Sequence, residues 1–149
     1  MAPFLVLLLG TLAARLTGWL GVDYVNSWPG AIAVALAAMF VLTGVAHFVN
    51  PLRRDMIAIV PPPLPAPAVL VTVTGVLELA GALGLLIPAT RVAAAVCLFL
   101  LMLAMFPANV YAARMSNAPK SMNSRLGVRG AEEAVFLAAA VAVGLGGIQ

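Results

Sequence analysis

With 149 residues, 64% of them hydrophobic and 9% charged, the chain is too apolar for a soluble domain of its size, so its solvent is lipid. The formal charge of +3 comes from basic residues that cluster between apolar stretches, where they set membrane orientation and give little support to nucleic-acid binding. Cys97 is the single cysteine, which excludes an internal disulfide and a C-x-x-C pair.

Five apolar stretches, about 3–21, 30–49, 67–87, 91–112 and 131–147, predict five membrane-spanning helices in one domain over 1–149, because lipid leaves no water for unpaired backbone groups. The first reads as a retained span. It has no basic residues ahead of its apolar run, and Arg15 lies inside that run. Gly10, Ala14 and Gly18 recur at every fourth position, a stripe that lets another backbone approach. Ser27 with Pro29 predicts the N-cap and first turn of the second helix, which Asn50-Pro51 closes. The prolines from Pro61 to Pro67 predict a stiff, extended spacer. On the third stretch Thr74, Gly75, Glu78, Gly81 and Ala82 share one face, which suits a protein neighbour better than lipid. Pro88-Ala89-Thr90 predicts a tight link with Thr90 as N-cap, making the third and fourth helices an antiparallel hairpin. Pro107 predicts a kink or a freed carbonyl near Asn109. Glu132 and Glu133 are expected to open the last helix and pair with Arg125 and Arg129.

Alternate loops differ in charge. One side carries Arg53, Arg54, Arg114, Lys120, Arg125 and Arg129, the other only Arg91, so the N-terminus is expected in the cytoplasm and the C-terminus outside. A reporter on Gln149 that works only in the cytoplasm should stay silent; activity would overturn this topology.

Arg15 and Glu78 fall at similar depth near the membrane midplane, where an unpaired charge costs roughly 2.5–3.5 kcal/mol on insertion scales. They are therefore expected to meet, as an ion pair that fixes helix register or as the polar floor of a binding cavity, the remaining alternative being that Arg15 snorkels alone. His47 and Asn109 fall at a second, cytoplasmic level. Thr43 and Gly44 share a face with His47, and Met102, Met105 and Phe106 share one with Asn109, which predicts an apolar cleft with a polar rim, or ordinary inter-helix bonds. The ligand-binding candidates are Arg15, His47, Glu78, Met105 and Asn109. One histidine without a second ligand nearby makes no metal site. Nucleotide, hydrolase and haem motifs are missing, so chemistry by this chain alone has no support.

Several longer phrases carry a family likeness: Phe40-Val41-Leu42-Thr43-Gly44-Val45-Ala46-His47-Phe48, Met56-Ile57-Ala58-Ile59-Val60-Pro61-Pro62, Thr74-Gly75-Val76-Leu77-Glu78-Leu79-Ala80-Gly81, Gly84-Leu85-Leu86-Ile87-Pro88, and Phe106-Pro107-Ala108-Asn109. In these the chain resembles the DoxX-like family of small integral membrane proteins. The resemblance implies an all-α membrane protein, a DoxX-like four-helix transmembrane bundle with an additional N-terminal transmembrane helix. It implies in turn a plasma-membrane subunit or partner of a redox system that binds a quinone or other lipophilic molecule between its helices. If catalytic, this would be an oxidoreductase subunit needing a soluble or membrane redox partner. The alternative is a non-enzymatic scaffold, assembly factor or chaperone, with the loop from Arg114 to Arg129 as docking surface. A transporter is weaker, because no inverted repeat is visible. Besides the lipid bilayer, a homo-oligomer stays open as a partner.

Overall fold

Helix starts and stops set the architecture. In the computed structural model, which describes residues 1–122 and 124–147, the first helix α1 runs Ala2–Trp19, with a proline in its first turn. It ends before Gly21, whose φ of +106° only glycine adopts without strain. A short 3-10 turn, Asp23–Val25, leads to Ser27, whose hydroxyl accepts a 3.1 Å hydrogen bond from Gly30 N and caps α2, Trp28–Ala46, as its sequence predicts. The helices that follow are α3 (Leu52–Ala58), α4 (Pro67–Leu86), α5 (Arg91–Arg114) and α6 (Leu126–Gly146). A second 3-10 turn, Lys120–Met122, precedes α6. Gln149, the reporter position, lies outside the described residues.

Helices α2, α4, α5 and α6 form a closed ring in which each packs on two neighbours, and α1 packs against the outside of α2. Small residues set the contacts. A Cβ on Gly10 would lie 3.2 Å from Ala35 Cβ, and one on Gly18 2.6 Å from the Val25 carbonyl oxygen, so the small-residue stripe of α1 seats α2 and its leading turn. The shared interior holds Leu36, Met39, Leu85, Leu98 and Val143, all fully buried. Leucines such as Leu5, Leu83 and Leu100 face outward, as lipid-facing positions do.

Four helices, α1, α2, α4 and α5, are long and apolar enough to cross a membrane. The fifth expected span is different. α6 starts five residues ahead of the predicted boundary and carries Arg129, Glu132 and Glu133 in its first two turns. Its uninterrupted apolar run, Ala134 to Gly146, covers about 20 Å at 1.5 Å per residue, short of a ~30 Å hydrocarbon core. It nevertheless runs the length of the ring: a Cβ on Gly146 would strike Pro29 at the start of α2, and one on Gly147 would strike Val92 at the start of α5.

Local chemistry departs from expectation in the connections. Leu64 N donates to the Pro61 carbonyl at 3.0 Å, so the proline-rich segment closes a turn instead of staying extended, and Ala66 enters α4 with a left-handed φ of 49°. Thr90 holds the N-cap position of α5, but its hydroxyl donates backwards to Gly84 O at 2.9 Å, and Arg91 Nε donates to Leu85 O at 3.0 Å. Both side chains thereby satisfy the last carbonyls of α4. α5 continues as one helix through Pro107.

Candidate functional site

The interior face of α2 ends in Thr43 and His47, one helical turn apart, and the facing surface of α4 presents Gly75 and Glu78. A missing side chain permits the contact: a Cβ on Gly75 would lie 2.6 Å from His47 Cβ. The Thr43 hydroxyl donates to Glu78 Oε2 at 2.6 Å, and its carbonyl lies 2.9 Å from His47 Nδ1. His47 Nδ1 and Glu78 Oε2 are 3.9 Å apart, too far for a direct hydrogen bond. Thr43 is therefore the junction between the two titratable groups, each only 4% exposed.

Arg53, on α3, fixes this corner from below. Its guanidinium donates to His47 O at 2.9 Å, Thr72 Oγ1 at 2.9 Å and Ala68 O at 3.3 Å, tying the end of α2 to the first turns of α4.

Beside the corner lies a cavity of about 650 Å³, walled by α2, α5, α6 and the first residues of α1. Met39, Phe40, Met102, Met105 and Phe136 supply apolar wall; His47, Glu78 and Asn109 lie along it with Arg129, Glu132 and Glu133 of α6. Arg129 donates to Asn109 Oδ1 at 2.7 Å and also to the Met122 carbonyl. Glu133 Oε1 and Arg129 Nε are buried without a partner among the described residues. The Met1 amine lies 2.9 Å from Glu132 Oε1. Such a volume suits a small molecule held by apolar walls and a few convergent polar groups.

Of the five residues singled out from sequence, His47, Glu78, Met105 and Asn109 line this one cavity. Arg15 does not join them. α1 ends at Trp19, so Arg15 lies one turn from the helix end, where its guanidinium reaches Asn26 Oδ1 at 3.2 Å and Val25 O at 3.4 Å. It also stacks 5.1 Å from the Trp19 ring and 5.3 Å from Trp28. The expected Arg15–Glu78 pair is not formed, because Arg15 snorkels to the opposite end of the bundle. The expected division into two polar levels fails with it: Glu78 and His47 occupy one corner, because α4 begins well beyond the end of α2 and its twelfth residue, Glu78, reaches only as deep as Thr43.

Thr43, Arg129 and Glu133 are the site members that sequence reasoning passed over as ligands. The four-residue spacing of Thr43 and His47 was a usable signal. Glu132 and Glu133 do not open α6, whose first turn has no acidic residue, and neither forms an ion pair with Arg125 or Arg129 among the described residues. They turn toward the cavity instead.

No curated protein and no solved structure matches the chain. One family model does, over residues 36–144, a stretch that runs from the middle of α2 to the end of α6 and contains Thr43, His47, Glu78, Asn109 and Arg129 while leaving out α1. With most of the helical ring and the polar corner inside that match, the chain belongs to the family DUF8561, a domain of unknown function.

Proposed function

We propose that this protein binds a quinone or another lipophilic molecule in the cavity beside Glu78 and serves as the membrane subunit of a redox system. The carrying observation is the cavity itself: about 650 Å³, apolar along α2 and α5, with His47, Glu78 and Asn109 on its wall. The space is half open, its rim including the exposed Met1, Leu42 and Val45, so a ligand can enter it from the surface of the bundle. The methionines suit an elongated apolar ligand because their side chains adapt to its shape. The redox assignment draws on the likeness to DoxX-like proteins. Electrons would come from a soluble or membrane partner, and the cavity lies at the end of the bundle that holds Arg53, Lys120 and Arg125, the cytoplasmic side by the charge rule.

Purification in mild detergent followed by extraction should yield a lipophile at about one per chain, and Met105→Trp, which fills the cavity without touching its charges, should lose it. Repeated preparations with no lipophile enriched over the bulk lipid would overturn the reading.

A second reading, a non-enzymatic scaffold or assembly factor, is favoured by Arg114, Lys120 and Arg125, which are exposed, do not line the cavity and offer a basic docking surface.

A further inference from the structure

The hydrogen bonds at the corner fix which ligand atoms it can accept. His47 Nδ1 lies 2.9 Å from the Thr43 carbonyl oxygen, and a carbonyl only accepts. The ring proton of the neutral imidazole therefore sits on Nδ1, which leaves a lone pair on Nε2. Nε2 makes no hydrogen bond to any described residue, and His47 belongs to the cavity wall. Glu78 Oε2 accepts from the Thr43 hydroxyl and Oε1 has no hydrogen-bond partner among the described residues; an ionised carboxylate would only accept there and a protonated one would donate, so the fixed polarity of the corner is that of His47. Asn109 has the opposite sense. Its Oδ1 is occupied by Arg129, so its amide NH2 is the group left to offer. Met102, Met105 and Phe136 line the same cavity.

We propose that the cavity selects a lipophile whose head group donates a hydroxyl to His47 Nε2, and so binds a hydroquinone in preference to the quinone of the same skeleton. The inference rests on the reading that the cavity holds a lipophile, and it assigns that ligand's hydrogen-bond polarity. A hydroquinone donates to Nε2 with one hydroxyl and accepts from the Asn109 amide with the other. Of the requirements set by His47 and Asn109, a quinone carbonyl meets only the second, and it sets its lone pairs against that of Nε2. A hydroquinone dimethyl ether has the same defect with added bulk.

The test measures binding of three short-chain probes to the purified protein in lipid nanodiscs, without oxygen and near neutral pH: a decyl hydroquinone, the matching quinone, and the dimethyl ether. The hydroquinone should bind about tenfold tighter than either of the others, the effect of leaving one buried acceptor unpaired. In His47→Leu that preference should shrink to less than about twofold while quinone binding persists; a preference that survives there removes His47 from the role. Because the wild-type comparison needs no variant, it decides the matter even if His47→Leu does not fold. Quinone binding as tight as hydroquinone overturns the polarity assignment and leaves the lipophile reading intact; no binding by any probe overturns both.

Discussion

Glu78→Leu is expected to leave the bundle as stable as the wild type or to raise its thermal midpoint, while binding of a lipophile to the cavity falls by about tenfold or more. Glu78 is 4% exposed, its one protein hydrogen bond comes from Thr43, and the nearest imidazole nitrogen stands 3.9 Å away. A carboxyl held in an apolar bundle by so little is costly, and a leucine of similar volume removes that desolvation cost while the neutral His47 is left with no charge to balance. The Thr43 hydroxyl is not stranded by the change, because it already lies 3.4 Å from the Phe40 carbonyl, the usual acceptor for a helix threonine. Binding and packing thus make opposite predictions for one substitution. Thermal unfolding in detergent, run beside ligand titration on the folded fraction, separates them: a midpoint lowered by the equivalent of about 3 kcal/mol with binding unchanged would make Glu78 a packing residue.

Gly75→Leu should be the most damaging single change in the ring. The added Cβ would sit 2.6 Å from His47 Cβ and 2.9 Å from its Cγ, and the rest of the side chain would extend into the seam between α2 and α4. Gly44 makes the same seam from the other side, with Leu79 Cδ2 2.9 Å and the Gly75 carbonyl oxygen 3.3 Å from where its Cβ would be. Neither helix can retreat freely, since α2 also carries α1 and α6 and Arg53 ties its end to α4. Overpacking of this kind costs about 1–3 kcal/mol for small intrusions and more for a leucine, so the folded yield should collapse. Gly144→Ala is the control: nothing lies within 4 Å of that position, and alanine in a helix interior gains up to about 1 kcal/mol over glycine. Similar losses in both variants would contradict the close-approach account.

How these residues came to be legible follows from what one chain records. Depth along each helix is written in the sequence, and it placed His47 and Asn109 near the same end, where they share a cavity wall. Relative offset between helices is not written there. α4 starts well past the end of α2, which moved Glu78 from a supposed midplane to the level of Thr43, and α1 stops at Trp19, which moved Arg15 to the opposite end. The charges of α6 misled for a related reason: with the helix start placed at residue 131, Glu132 and Glu133 look like first-turn caps, but from Leu126 they fall in the second turn and turn inward. Helix existence was easier, because apolar runs between Ser27, Pro67 and Thr90 leave lipid no other solution. The seven-residue α3 escaped notice, being too short and too polar to register as a periodic segment.

The central claim, that the space beside Glu78 holds a ligand, is tested most directly by photocrosslinking a diazirine-bearing decyl quinone to the protein in native membranes and mapping the modified residues. Labelling is predicted on Met39–His47, Met102–Asn109 and around Phe136, suppressed by excess unlabelled quinone and absent in Met105→Trp. Labels spread over outward-facing positions such as Leu5, Leu83 and Leu100, unaffected by competitor, would contradict it.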